Sequence, residues 1–206
     1  MAKIEVEHIG SIDKNKFVEL TKKFRKEGKF LGEKRRFSMI YCASNNSIRE
    51  AKDDLIDIKV RVTNGQAEFT FKYGKWSGHH ARKEYNFEFE TEKFGDFIEF
   101  LKLIGYKKYV LMANTKYDYK YKGITFSLVD VPNYCYYFEA EILVDEKDVE
   151  AAHKKMDKEI SRLGIEALNQ EKFYDLLDGM NNRPGHRVDI EKTSFKEIKQ
   201  RFKDYF

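Results

Sequence analysis

Apolar and polar residues alternate with a period of two through most of the chain before Asp145, the period of strands that bury one face. At the start, Ile4 and Val6 alternate with Lys3, Glu5 and Glu7. Asp13 then caps a predicted helix in which Phe17, Leu20 and Phe24 recur at helical spacing, and Gly28 ends it. From Lys34 to Tyr41 the period returns to two, with Phe37, Met39 and Tyr41 on one face and Arg36 and Ser38 on the other. A polar loop around Asn45, Asn46 and Ser47 leads to the clearest hairpin. Ile58, Val60 and Val62 alternate with Lys59, Arg61 and Thr63, Asn64-Gly65 turns the chain, and Ala67, Phe69 and Phe71 alternate with Glu68, Thr70 and Lys72.

After an expected flexible loop from Gly74 to His80, residues 84 to 90 place Tyr85, Phe87 and Phe89 opposite Glu84, Asn86, Glu88 and Glu90. A helix carrying Phe94, Phe97, Ile98 and Leu101 ends near Gly105. Three strands follow: one near 109 to 121, then Ile124 to Val131 and Tyr136 to Val144. The period then lengthens. A long helix runs from a cap at Asp145 through Val149, Ala152, Met156, Ile160 and Leu163 to Gly164, and a shorter one carries Phe173, Leu176 and Leu177. Turn residues from Asn181 to Gly185 mark a boundary. Beyond it lie a short strand-like run and a helix with a capping box at Ser194 and Glu197 ahead of Ile198 and Phe202.

Strands that outnumber helices, each with one apolar and one charged face, imply an α+β fold: an antiparallel sheet with helices packed against it. Periodicity leaves open whether the charged faces look at bulk water or into the lumen of a closed barrel. Residues 1–180 are expected to form the main domain, and 181–206 an appendage packed on it or mediating a homodimer. The 206 residues suffice for a sizeable core. Charge narrows the partners. With 39 Lys and Arg against 35 Asp and Glu, the net +4 does not suit a non-specific nucleic-acid binder, so anion binding must come from local placement. No run approaches the roughly 18 apolar residues of a membrane span, and the N-terminus lacks a signal-peptide core, which predicts a cytoplasmic protein with no membrane partner. Cys42 and Cys135 are too few and too isolated for a disulfide framework or a zinc site, and read as buried thiols.

The charged faces carry the candidate chemistry. Glu5 and Glu7 lie about 7 Å apart on one strand face and repel each other unless a positive group lies between them. Phe138-Glu139-Ala140-Glu141-Ile142 repeats the arrangement. Arg36, Lys59, Arg61, Lys72 and Lys116 supply cations to the same kind of face. Both signs together suit a polyanion bound with its divalent metal, lysine and arginine meeting phosphate oxygens and carboxylates holding the hard cation. Adjacent His79 and His80 point to opposite faces of an extended chain and make a poor joint ligand pair. Tyr117, Tyr119 and Tyr121 alternate with Lys116, Asp118 and Lys120; wall packing explains that spacing better than base stacking does.

The Glu5-x-Glu7 strand, the Lys59-x-Arg61 hairpin running into Thr70-x-Lys72, Arg82-x-Glu84, and Ser127-Leu128-Val129-Asp130 leading to Phe138-Glu139-Ala140-Glu141 resemble, in order, the CYTH superfamily of triphosphate tunnel metalloenzymes. That family includes class IV adenylyl cyclases, thiamine triphosphatases and inorganic tripolyphosphatases. The resemblance covers roughly residues 2 to 165. It implies an eight-stranded antiparallel β-barrel, the triphosphate tunnel, with helices packed outside. It implies Mg²⁺ or Mn²⁺ held by Glu5, Glu7, Glu139 and Glu141, which would also be the catalytic set. Lys59, Arg61, Lys72 and Arg82 match phosphate contacts, Lys116 falls where an arginine is usual, Arg36 joins them from the residue reading, and Glu84 and Asp130 match further acidic positions. The implied activity is metal-dependent hydrolysis of a nucleoside triphosphate, thiamine triphosphate or tripolyphosphate. The alternatives are cyclisation of ATP to cyclic AMP and pyrophosphate, or binding without turnover.

Two positions depart from the family pattern. Ile9 stands where a lysine follows the second glutamate, and Asn114 stands where a base precedes Lys116. Either the tunnel binds its anion with fewer cations than usual, or His8 or Lys3 substitutes; taken alone, His8 reads as a strand residue before a ligand or a base.

Overall fold

The computed structural model describes residues 4–41, 56–73, 79–80 and 83–206. Lys3, Cys42, Asn45, Asn46, Ser47, Trp76 and Arg82 lie outside them, so the expectations placed on these residues do too. The elements are β1 (Ile4–Ile12), α1 (Lys14–Glu27), β2 (Lys29–Tyr41), β3 (Ile56–Thr63), β4 (Gln66–Tyr73), β5 (His79–His80), β6 (Lys83–Phe89), α2 (Phe94–Leu103), β7 (Lys108–Tyr121), β8 (Ile124–Val131), β9 (Cys135–Val144), α3 (Val149–Arg162), α4 (Gln170–Asn181), β10 (Arg187–Asp189) and α5 (Phe195–Arg201). Among the described residues eight strands are seven residues or longer, the number expected; β5 and β10 add two short ones. The fold class is α+β with antiparallel pairing. Among the described residues no helix is long and apolar enough to cross a membrane.

Local signals account for most boundaries. The Asp13 carboxylate accepts from the Lys16 backbone N–H at 2.7 Å, closing the first turn of α1. At Asn64 and Gly65, φ is 50° and 82°, the paired left-handed conformation of a two-residue hairpin turn, which Asn-Gly adopts at little cost. The Ser194–Glu197 box caps α5 in both directions.

Four readings are corrected. β2 begins at Lys29, directly after the α1 cap, because Phe30 and Leu31 need no covered face to extend. A 3₁₀ turn over Glu146–Asp148 separates Asp145 from α3, so Asp145 does not cap that helix. His79 and His80 form a strand, not a loop, paired with His8 and Glu7 of β1. On β6, Phe89 stacks on Phe97 of α2 at 4.9 Å, whereas Tyr85 and Phe87 remain about half exposed instead of joining the core.

The chain forms two compact units, each built from three segments. Unit 1 comprises Met1–Lys34, Lys75–Lys83 and Thr115–Leu176. Its strands run β5-β1-β9-β8-β7, the last represented by its C-terminal half. The apolar face of that sheet receives α1 and α3. Phe24 meets Phe126 and Tyr119 at ring separations of 5.0 and 5.6 Å, and Val6, Leu128, Phe138, Met156 and Ile160 complete a core from which water is excluded. Each fully buried large side chain contributes about 1.5–3 kcal/mol. At Gly10 the packing is tight enough that an added Cβ would lie 2.2 Å from both the Glu166 carbonyl oxygen and the Phe138 ring.

Unit 2 comprises Arg35–Gly74, Glu84–Asn114 and Leu177–Phe206. Here β2, β3, β4 and β6 follow one another, and β10 pairs with the start of β7. Phe37, Met39, Val60 and Val62 form the sheet side of its core; α2 and α5 supply Phe94, Ile98, Leu101 and Ile198. The last residues belong to this core: Phe202 lies 4.6 Å from Phe37, and Phe206 lies 5.4 Å from it.

Candidate functional site

The acidic pairs are both in unit 1, and the sheet brings them side by side. β1 and β9 pair so that Glu7 is opposite Glu141, Ile9 opposite Glu139 and Val6 opposite Ile142. Val6, His8 and Gly10 turn into the helix-covered face, and by alternation Glu5, Glu7 and Ile9 take the other. The pairing continues through β8 to β7: Glu141 faces Thr125, which faces Lys120, while Glu139 faces Ser127, which faces Asp118. Two polar rows therefore cross four strands.

The electrostatics of these rows are set by crowding. Burial pushes the Glu141 carboxyl above the usual carboxylate range; Glu5 adds to the push, Lys116 opposes it, and Glu139 and Asp118 reinforce it. The Lys116 ammonium is paired with Glu139. Asp118 is buried, yet its carboxyl lies below the usual range. Burial raises it, but hydrogen bonds from Lys34 at 2.7 Å and Ser127 at 2.7 Å, with Lys116 nearby, outweigh that effect. Asp130 is raised by burial, with Lys14 opposing, and faces Thr115 on β7.

Hard oxygen donors crowded by their own repulsion are the donor set a divalent cation of the Mg²⁺ or Mn²⁺ class takes. Among the described residues, however, no three acidic or imidazole side chains already converge on one point as a metal centre. The carboxylates fit such an ion by chemistry and by strand register, with Glu139 given up by Lys116.

The basic residues Arg36, Lys59, Arg61 and Lys72 are all in unit 2. Strand register sets Lys59 opposite Thr70, Arg61 opposite Glu68 and Asp57 opposite Lys72. Each cation is matched. Lys59 pairs with Asp57 at 3.0 Å, Arg61 Nε donates to Glu68 at 2.7 Å, Lys72 reaches Glu84 at 2.6 Å, and Arg36 Nε donates to the Thr63 hydroxyl at 3.0 Å. Burial raises the Glu84 carboxyl, but Lys72, the Asn86 amide and Arg61 together hold it down to about 2.

Ile9 and Asn114 are as the sequence reads, and Asn114 is buried; its side-chain oxygen has no hydrogen-bond partner among the described residues. His8 does not stand in for the missing lysine. It is buried on the opposite face of β1, its Nε2 lying 2.9 Å from His153 Nδ1 and its Nδ1 3.3 Å from the Asp157 carboxylate, both on α3. Sequence reasoning passed over Lys34, Asp118, Ser127, Asp57 and Glu68. The alternation that marked Lys116 also marked Asp118 and, on β2, Lys34, but alternation does not give cross-strand partners.

Comparison with known proteins agrees with this architecture. The CYTH domain is matched over residues 12–174, more than half of the chain, and the chain belongs to the CYTH family. The matched stretch begins after Glu5-Val6-Glu7. A search of curated proteins finds no match. Among solved structures, the PH1819 protein of Pyrococcus horikoshii OT3 superposes with a TM-score of 0.67 at 24% identity, over 84% of this chain and 98% of that one. HpAC1 from Hippeastrum, an adenylyl cyclase candidate described as having a dominant triphosphatase activity, gives 0.58 at 14% identity over 89% and 99%. An adenylate cyclase candidate from Vibrio parahaemolyticus gives 0.59 at 13% identity over 97% and 99%. At these identities the likeness establishes the fold.

Proposed function

We propose that the chain is a divalent-metal-dependent triphosphatase. The observation that carries the reading is the register that sets Glu7 opposite Glu141 with Glu139 one step along, in a chain of the CYTH family. Glu5, Glu7, Glu139 and Glu141 are the residues that would hold Mg²⁺ or Mn²⁺, which when bound neutralises phosphate oxygens and orients water. In unit 2, Lys59, Arg61 and Lys72 are the proposed phosphate contacts, each with N–H donors beyond the one its carboxylate partner takes. Glu84, ionised at every physiological pH, presents a full negative charge to Lys72 and Arg61. Water attacks the terminal phosphorus, the bond to the bridging oxygen breaks, and orthophosphate and a diphosphate leave. The HpAC1 description favours hydrolysis; the Vibrio description favours the second reading, in which a ribose 3′-hydroxyl is the nucleophile and pyrophosphate leaves.

The test incubates purified protein and Mg²⁺ or Mn²⁺ with ATP, thiamine triphosphate and tripolyphosphate and identifies the products. Orthophosphate release is the expected result; cyclic AMP with pyrophosphate replaces it with the second reading. Binding with no product from any of the three removes the enzymatic reading.

A further inference from the structure

The row Ile9–Glu139–Ser127–Asp118 crosses β1, β9, β8 and β7 in register, and among the described residues it has no cation at its β1 end. Its cations gather at the other end, about 14 Å away by strand spacing. There, Lys116 is paired with Glu139, its side chain only 13% exposed. Lys34 is different. Its side chain is 47% exposed, and it meets an Asp118 carboxylate that is 8% exposed. Asp118 in turn is fixed by the Ser127 hydroxyl at 2.7 Å. An ammonium has three N–H donors, and the contact with Asp118 accounts for one. The geometry is therefore of a cation anchored from below by a buried carboxylate, with donor capacity directed at solvent. A Lys–carboxylate pair made only for stability at such exposure would contribute little.

We propose that Lys34 is a further phosphate-contacting residue of this chain and that Asp118, braced by Ser127, is its positioning residue. The row thereby takes its anion-binding charge from β2 and β7, not from β1. This deepens the triphosphatase reading and rests on it. It also predicts that the bound phosphate chain lies toward the β7 side of the acidic face.

Titration calorimetry with inorganic tripolyphosphate and Mg²⁺, together with steady-state kinetics, tests the proposal. Lys34→Ala is expected to weaken tripolyphosphate binding and raise KM about tenfold while kcat changes less than about twofold, the split expected of a contact made equally in ground and transition states. Lys34→Arg is expected to restore affinity to within about threefold of wild type, which a purely structural role would not require. Asp118→Asn is expected to weaken binding about threefold by releasing the ammonium; Lys34→Ala and Lys34→Arg carry the test if that variant does not fold. Lys93→Ala, removing an exposed pair with Asp96, serves as the control and is expected to match wild type. Wild-type affinity in Lys34→Ala overturns the inference and leaves the triphosphatase reading standing. A wild-type protein that neither binds nor turns over tripolyphosphate, ATP or thiamine triphosphate overturns both.

Discussion

The charged sheet faces of the two units are built by the same alternation and end in opposite electrostatic states. In unit 2 every sequence-predicted cation has an oxygen partner within 3.0 Å, and the Glu84 carboxyl is held down to about 2. In unit 1 the carboxylates of β1 and β9 crowd one another, and the Glu141 carboxyl is pushed up by burial and by Glu5. The first arrangement is one a protein reaches by optimising its own stability. In the second, Glu141 is held above its ordinary range by burial and by neighbouring carboxylates, the kind of perturbation that marks a candidate functional site. The same kind of strand thus yields a relaxed face and a strained one, according to which residues fall opposite each other.

The largest expected effect breaks the strained face. Glu7→Gln and Glu139→Gln should each lower triphosphatase kcat/KM on the order of 100-fold or more, measured by orthophosphate release, because each removes a carboxylate from the proposed metal-holding set. Full activity in both variants would remove these residues from the site. Next comes the relaxed face. The folded Glu84 carboxyl lies at about 2 against an ordinary 4.5, so its stabilisation is complete above pH 4.5 and lost as the pH falls toward 2. That shift corresponds to at most about 3 kcal/mol. Urea unfolding at pH 5 and pH 3 should show the wild type losing about half of this contribution, and Glu84→Gln, already lacking it at pH 5, losing less over the same interval.

A smaller effect sharpens the contrast. Mg²⁺ at about ten times its dissociation constant should stabilise the wild type by about 1.4 kcal/mol in thermal melts, and Glu7→Gln by much less. The smallest is a gain. Glu141 has a raised folded pKa, so its contribution to stability is fully present below pH 4.5 and is lost as the pH rises through the folded value. Glu141→Gln should therefore raise Tm at pH 7 in metal-free buffer by about 2–4 °C while activity falls. A drop in Tm would mean that the carboxylate is satisfied as it stands.

Alternation made most of the fold legible, because each strand buries one face and the core residues Val6, Phe37, Val60, Phe126 and Phe138 fall on it in phase. The Asn64-Gly65 turn, the Asp13 cap and the Ser194 box were equally plain, being local chemistry. The alternation of Glu5 and Glu7 with the buried Val6 was legible for the same reason. Partners were not. That Asp118 holds Lys34, that Glu84 holds Lys72, and that His8 meets His153 depends on pairings across tens of residues. The exposure of Tyr85 and Phe87 was hidden because amphipathic alternation states which residues share a face, not whether a helix covers it. Two of the five seams between the units left no mark either: those between Lys34 and Arg35 and between Asn114 and Thr115 fall inside uninterrupted strands.

Those seams have a consequence for how the chain can reach its native state. Each unit is assembled from three stretches of sequence, and Leu177–Phe206 contributes Ile190, Ile198 and Phe202 to a core whose other members begin at Phe37. Until the last thirty residues emerge, that core lacks Ile190, Ile198 and Phe202. Folding must wait for long-range closure, which is slow in sheet proteins of this connectivity. No single backbone cut separates one unit from the other, so a nicked chain should lose both together.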